Sequence, residues 1–587
     1  MSEKNSPYIG ECQHVSYHLP QWDENGKCHW IDIQLQHKSL NAEAKCILPP
    51  RKVIPVIFIP GIMGTNLKNK KNGDPVWRAD KYMGMDTLYL ASLGGKERRK
   101  ILNVDSTTVD NRGKYIQSDN SAFVDIRKDN TSFSDDGFML PKRKDRGWGE
   151  ALFLSYGTFL DVLQSALLDD WQQDMFNLKR RDKTKSIQDH GDKSTGVLRQ
   201  LVNKPIGGTN ESLLTEQELT HFERFLFSVH VFGYNWLEDN AISAANLTKY
   251  IDKVLETYKY RHGYGLAIEK VIILTHSMGG LIARYAMNPP EGAFQGCQDK
   301  VLGVVHGVIP DLGSPAAYRR MKVGAAQEGM AGKVLGATAK ELMSVLAAAP
   351  APLQLLPYPR YRSSWLSIDG GGSYPSMVDT NTGIFDPFNE IYLRKDVWWS
   401  LYDPDILDRE PSIIENNWKQ FFNLMKDKVK TFMGNQEKKR YHPNSYVFYG
   451  TEVESDNTLR WGVEKVVPLK VGPRRPFVFN PENNQRIVYS GENEVKNTVG
   501  EYDSSSYQYT QFRLFSSQGA GDGTVPVESL VDIISSPSVK SSLATNVDHQ
   551  NAYAVDSLPD IRNRDAIRFT LRAIVKMVQE VDIRAAD

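Results

Sequence analysis

Residues 271–281 read VIILTHSMGGL, an aliphatic strand that stops at a serine and restarts at once as an apolar helix. Val271, Ile272, Ile273 and Leu274 favour a buried strand, and Leu281, Ile282 and Tyr285 continue with helical spacing. Ser277 then stands at the tip of a tight turn, a nucleophile elbow. There the backbone is strained, and the residues two before and two after the serine must be small so that strand and helix can approach. Gly279 meets that need, while Thr275 replaces the usual first glycine. The Ser-x-Gly triplets beginning at Ser92, Ser194 and Ser517 follow no such strand. The plain alternative for Ser277 is an N-cap at an ordinary strand-to-helix junction.

Further aliphatic strands are predicted at 53–59, 229–232, 301–305 and 446–449, with helical patterns between several of them. Strands buried on both faces and alternating with helices describe an α/β fold around a mostly parallel sheet. Ile567, Leu571, Ile574, Val575 and Val578 form the apolar stripe of a last helix that can pack on it. The intervals are too unequal for simple crossovers. They divide the chain into an N-terminal arm (1–52), a discontinuous core (53–67, 221–311, 446–451 and 519–587), a first insertion (68–220), a cap or lid insertion (312–445) and a strand-rich excursion (452–518). Charged stretches at 142–146 and 179–185 read as solvated loop.

A serine nucleophile on such a sheet needs an acid and then a histidine later in the chain, each on a loop after a strand. Of the twelve histidines only His442 and His549 follow the elbow at a distance, and His306 follows too closely. The best-placed acid is Asp522 in GDGTVP, where flanking glycines let a turn present the carboxylate. Only His549 comes after it, which gives Ser277, Asp522 and His549 as the candidate triad, with Asp503 and Asp548 as fallback acids. Read singly, Asp522 is an ordinary turn residue and His549 a surface histidine. Oxyanion stabilisation requires two backbone N–H groups, and the candidates are those of Met278, directly after the serine, and Ile62 in the loop Pro60-Gly61-Ile62-Met63-Gly64. That loop lacks the glycine spacing of a phosphate cradle.

Acidic and basic residues balance at 71 each, so no global field draws the chain to nucleic acid or to an anionic bilayer. Cys12, Cys28, Cys46 and Cys297 lack metal-ligand spacing and read as free thiols made in a reducing compartment. No metal site and no cofactor are expected, with calcium assistance left open. The first twenty residues show no signal-peptide pattern, and no run of about 18 apolar residues occurs. The expectation is a protein made in the cytoplasm that does not use the general export route.

PxxxxPGIMGTNL at 55–67, YNW at 234–236, THSMGG at the elbow, LGSPAA at 312–317 and GDGTVP resemble the lecithin:cholesterol acyltransferase and GPI inositol-deacylase branch of the α/β hydrolases. The plan with long insertions is similar to the phospholipase effectors of bacterial type VI secretion systems. The chain departs from the branch at Thr275 and at Asn235, where aspartate is usual. The resemblance implies an α/β-hydrolase fold, the triad above and hydrolysis of acyl esters in membrane glycerophospholipids. The effector plan implies delivery into a target-cell periplasm, a cognate immunity or inhibitor protein and a type VI spike (VgrG-type) carrier.

Residues 330–357 are rich in alanine and aliphatics, among them Leu342, Leu346 and Leu353, and can form a lid over an acyl pocket. Phe385, Phe388, Tyr392, Trp398, Trp399 and Tyr402 offer a second apolar surface for an interface. Stripes of both kinds are more often core. Two other function classes remain open at this point: a soluble esterase, thioesterase, amidase or acyltransferase on the same triad, and a catalytically silent binding module.

Overall fold

The computed structural model describes residues 52–80, 92–117, 140–168, 197–259, 265–328, 336–369, 386–408, 410–468 and 508–586, with isolated positions and short backbone strands elsewhere. The charged stretch 179–185, Phe385, the start of the 330–357 segment and the side chains of Asp503, Cys12, Cys28 and Cys46 lie outside the described residues.

Six of the seven strands of the central sheet are β1 Lys52–Ile59, β2 Leu226–Val231, β3 Val271–His276, β4 Val301–Gly307, β5 Ser445–Gly450 and β6 Val539–Thr545. Their spatial order is β2-β1-β3-β4-β5-β6, with every neighbouring pair parallel, and the seventh strand, Gly265–Leu266, pairs in parallel with Lys52 and Val53 at the start of β1. From β1 the chain goes first to β2 on one side, then returns past β1 to β3 and moves outward. In open α/β sheets the crevice at such a reversal, beyond the carboxyl ends of the strands, is where ligands bind. The loop after β1 and the serine after β3 both lie there.

Alternation along the strands sends side chains into two separate cores. Val53, Ile57, Ile59, Val271 and Ile273 face the helices α2 Asn240–Lys259 and α3 Gly279–Ala286. Ile54, Val56, Phe58, Ile272 and Leu274 face α1 Phe153–Leu167 and α4 Asp565–Val578. Helix α4 buries the predicted stripe of Ile567, Leu571, Ile574, Val575 and Val578. Helix α1 falls within 68–220, so that stretch contributes a layer of the sheet core as well as inserted structure.

A third core joins two stretches that the sequence separates. Tyr318, Met343, Tyr392, Trp398, Tyr402 and Phe421 from 312–445 pack with Leu459, Trp461, Phe512 and Leu514 from the antiparallel strand pair Ser455–Pro468 and Gln508–Gly519. Trp398 stacks on Phe512 at 4.8 Å and meets Trp461 edge-on at 5.4 Å. The described aromatics of the supposed interface cluster, Phe388, Tyr392, Trp398, Trp399 and Tyr402, are therefore all buried. Trp398 finds its ring partners on these two strands, while Tyr392 meets Trp365 and Tyr402 meets Trp418 and Phe421 within 312–445, and this burial removes the cluster from the surface. Leu342 and Leu353 are buried as well, and half-buried Leu346 touches both this core and the sheet core.

The stretch 142–146 also differs from its reading as solvated loop. Lys142 and Lys144 are exposed, but Arg143 and Arg146 are buried. Arg143 lies 4.4 Å over the Trp148 ring and bonds Asp161 at 2.6 Å, while Arg146 donates to Gln164 at 2.6 Å and to the Val229 carbonyl at 3.1 Å. A guanidinium can be buried when its donors meet fixed acceptors. Charge density along the chain does not reveal that.

Candidate active site

Ser277 has a φ of 53°, the left-handed region that an L-residue enters only under constraint. The constraint is bonded at both ends. Its N–H donates to the Gly307 carbonyl at 2.9 Å, and its carbonyl accepts from the Gly280 N–H at 2.9 Å. Glycine is needed at 279 because a Cβ there would lie 2.6 Å from the carbonyl oxygens of both Ile59 and Pro60. At 275 the structure accepts threonine. Its side chain is buried against β4, and its carbonyl receives the Tyr553 hydroxyl at 3.1 Å.

Across the crevice, His549 Nε2 lies 2.7 Å from Ser277 Oγ and His549 Nδ1 lies 2.8 Å from Asp522 Oδ2. The structure thus brings Ser277, His549 and Asp522 into one hydrogen-bonded line. Asp522 Oδ1 accepts the N–H groups of Thr524 at 2.9 Å and Val525 at 2.7 Å, which leaves Oδ2 directed at the imidazole. The serine and the carboxylate are buried, and 11 % of the His549 side chain remains exposed. Asp548, the fallback acid beside His549, instead accepts from the N–H and side-chain amide of Asn551. His442 is buried with its ring on the Val301 carbonyl and the Asn444 N–H, a structural role.

The loop after β1 closes as a turn, with the Gly64 N–H on the Gly61 carbonyl at 3.0 Å and Met63 at a φ of 60°. It lies directly against the elbow, since a Cβ on Gly61 would be 3.0 Å from Ser277 Cβ and 2.7 Å from His276 Nδ1. Among the described residues neither the Ile62 nor the Met278 N–H donates a hydrogen bond. Asn66 fastens the far end of the loop, its side-chain amide donating to the Gly149 and Ala151 carbonyls at 3.0 Å each. Trp77 Nε1 donates to the Met63 carbonyl at 2.8 Å.

The remaining motifs anchor these loops. Ser314 of LGSPAA caps the helix Pro315–Val323 and donates to the Thr524 carbonyl at 2.6 Å, tying that helix to the acid loop. Gly523 in GDGTVP has a φ of 90°, and its N–H donates to Ser455 Oγ at 2.8 Å. Asn235 uses its amide to donate to Thr107 Oγ1 at 3.1 Å and to the Thr107 carbonyl at 3.3 Å. An aspartate could not donate to that carbonyl, so the departure at this position has a local cause.

Two groups beside the site were not singled out from the sequence. His276, next to the serine, has Nδ1 2.7 Å from the Tyr156 hydroxyl and Nε2 2.8 Å from the His549 carbonyl oxygen. The Tyr156 oxygen also accepts the Gly61 N–H at 3.2 Å. Burial, aided by the like charge of a protonated His549, lowers the His276 pKa to about 3, so the ring is neutral. The motif THSMGG displayed His276, but nothing local marks Tyr156, which reaches the elbow from a helix 120 residues earlier. Among the described residues no group of side chains is arranged to hold a metal ion, and no helix is long and apolar enough to cross a membrane.

No protein-family profile and no curated protein matches the chain. Among solved structures it is similar to a chain in the crystal structure of the Tle4–Tli4 complex, with 25 % sequence identity and a TM-score of 0.65 over 90 % of this chain and 99 % of that one. The likeness runs through the insertions as well as the sheet, and it bears on the effector-type plan rather than on the lecithin:cholesterol acyltransferase branch. The chain has the α/β-hydrolase fold, a mostly parallel sheet elaborated by large insertions.

Proposed function

We propose that the chain is a serine lipid esterase that cleaves acyl ester bonds of membrane glycerophospholipids and is delivered as an antibacterial type VI effector. The observation that carries the chemistry is the line Ser277, His549, Asp522 at 2.7 and 2.8 Å on a strained elbow. His549 takes the Ser277 proton as the oxygen attacks the ester carbonyl, and Asp522 holds the tautomer and balances the imidazolium. The Ile62 and Met278 N–H groups receive the oxyanion at the start of α3, where the helix dipole favours negative charge. His549 returns the proton to the leaving alcohol, and water then releases the acyl group by the same route. No metal or cofactor takes part in this scheme.

The effector reading is supported by the likeness to the Tle4–Tli4 complex across nearly the whole chain. Because that neighbour is itself a complex, it also supports a cognate inhibitor protein that keeps the enzyme silent in its producer. A spike carrier of the VgrG type belongs to the same reading. The test exposes phospholipid vesicles to wild-type and Ser277→Ala protein, with lipid mass spectrometry as readout and a fluorophosphonate probe to label the nucleophile. Lysophospholipid and free fatty acid should appear with the wild type alone. Product formation by the alanine variant, or an unlabelled Ser277, would overturn the reading.

A further inference from the structure

The three bonds at His276 and Tyr156 have only one consistent direction. The His549 carbonyl can only accept, so His276 Nε2 must carry the proton at the 2.8 Å contact. Nδ1 is then a bare lone pair, and the Tyr156 hydroxyl must donate to it at 2.7 Å. The phenol oxygen is left to accept, and it receives the Gly61 N–H at 3.2 Å. The result is a directed chain from Gly61 through Tyr156 and His276 to His549. One end adjoins Ile62, the proposed oxyanion donor, and the other is the residue whose ring takes the serine proton.

We propose that Tyr156 and His276 are positioning residues that hold the oxyanion loop and the histidine loop in register on either side of Ser277. This rests on the esterase reading above. The backbone of His549 is fixed at both of its polar groups, with its N–H on the Asp522 carbonyl at 2.8 Å and its carbonyl on His276. Without the second bond the His549 backbone keeps only its N–H on the Asp522 carbonyl, and the ring can shift relative to Ser277. Small displacements of this kind cost large factors in rate. The loop glycines clear the space the chain needs. A Cβ at Gly61 would sit 2.7 Å from His276 Nδ1, and one at Gly64 would sit 2.9 Å from the Tyr156 oxygen. Tyr156 is itself held by an edge-on contact with Phe58 of β1 at 5.0 Å. Both side chains are buried, so a lost partner leaves a polar atom away from bulk solvent.

The decisive comparison is among Tyr156→Phe, His276→Gln and His276→Asn, measured by kcat and KM on a soluble ester, by the rate of Ser277 labelling with a fluorophosphonate, and by thermal unfolding. A glutamine amide reaches the place of Nε2 and keeps a donor on the His549 carbonyl, whereas asparagine matches Nδ1 and loses it. The expected result is a tenfold or greater fall in kcat and labelling rate for Tyr156→Phe with KM within twofold, and a larger loss for His276→Asn than for His276→Gln. If Tyr156→Phe does not fold, the glutamine–asparagine pair decides alone. Equal losses in that pair, following the thermal midpoint with KM moving alongside kcat, would reduce both residues to ordinary core partners and overturn the proposal. A Tyr156→Phe variant within twofold of wild type would do the same. A wild-type chain that neither turns over ester nor labels at Ser277 removes the esterase reading instead, and this inference with it.

Discussion

Asp522 holds His549 at two points, with Oδ2 2.8 Å from Nδ1 and its backbone carbonyl on the His549 N–H at 2.8 Å. The other carboxylate oxygen is occupied by two backbone N–H groups, from Thr524 and Val525. That occupancy decides what an amide would do. In Asp522→Asn the carbonyl oxygen must stay on the two N–H donors, which turns the NH2 toward His549 Nδ1. The imidazole is then protonated on Nε2 and cannot accept from Ser277. The expected loss in kcat is on the order of 10⁴-fold with folding intact. Asp548→Asn, whose parent carboxylate serves only Asn551 among the described residues, should change kcat less than tenfold. Steady-state kinetics on one ester checks both, and a reversed ranking would reassign the acid.

The elbow makes a separate statement about stability. Ser277→Ala keeps a Cβ at a φ of 53° and should fold like the wild type with its activity gone. Ser277→Gly relieves the left-handed strain and should unfold at a higher temperature than either, the relief being about 1 kcal/mol. Scanning calorimetry of the three proteins reads this directly. A glycine variant less stable than the alanine variant would mean that the turn is not strained.

The parts of this architecture visible in the sequence were those written locally. Val271 to Leu274, Ser277 and Gly279 stand side by side, and the order of Asp522 and His549 follows from the chain direction of a sheet that carries one catalytic group per loop. Strand β6 was missed because Ser541 and Ser542 interrupt its aliphatic pattern. They are buried, and Ser542 exchanges hydrogen bonds with Thr209. Tyr156 and the burial of Arg143 and Arg146 were illegible for a related reason, since each depends on an acceptor or ring supplied from elsewhere in the chain. Trp398 is covered by Trp461 and Phe512, and Tyr402 by Trp418 and Phe421, and periodicity along 388–402 could not show either.

Burial lowers the pKa of His306 to about 3, with Arg284 and His442 adding repulsion. The unfolded chain therefore binds a proton near pH 6.5 that the folded chain refuses until about pH 3. Stability from this group is fully present above pH 6.5 and is lost as pH falls toward 3. Chemical denaturation at pH 7 and pH 5 should show wild type losing roughly 2 kcal/mol more than His306→Asn over that interval. Equal losses in the two proteins would show that His306 titrates normally in the fold.

The apolar segment 342–353 offers a test of cap movement that its burial sharpens. Leu342 and Leu353 are 1 % and 2 % exposed, so polar replacements there should destabilise the fold and depress activity on every substrate. Leu346 is half-buried between the cap core and the sheet core. If the cap moves to admit lipid, Leu346→Gln should lower turnover of bilayer phospholipid more than turnover of a soluble short-chain ester. A parallel loss on both substrates would assign Leu346 to plain packing and dismiss the lid.

The biological reading can be separated from the chemistry by compartment. An effector that attacks target-cell membranes from the periplasm should be harmless, or nearly so, where its producer makes it. Expression behind a periplasmic signal peptide should slow bacterial growth and permeabilise the cells, Ser277→Ala should abolish the effect, and cytoplasmic expression should be far less harmful. Dye uptake and growth curves measure the first, and lipid extracts from the same cultures should contain the expected lysophospholipid. An inhibitor protein that blocks the crevice should restore growth when sent to the same compartment. Toxicity equal in Ser277→Ala would trace the damage to something other than ester cleavage, and toxicity confined to the cytoplasm would place the substrate on the wrong side of the membrane. Either result would end the effector reading, while vesicle hydrolysis by the wild type would leave the esterase standing.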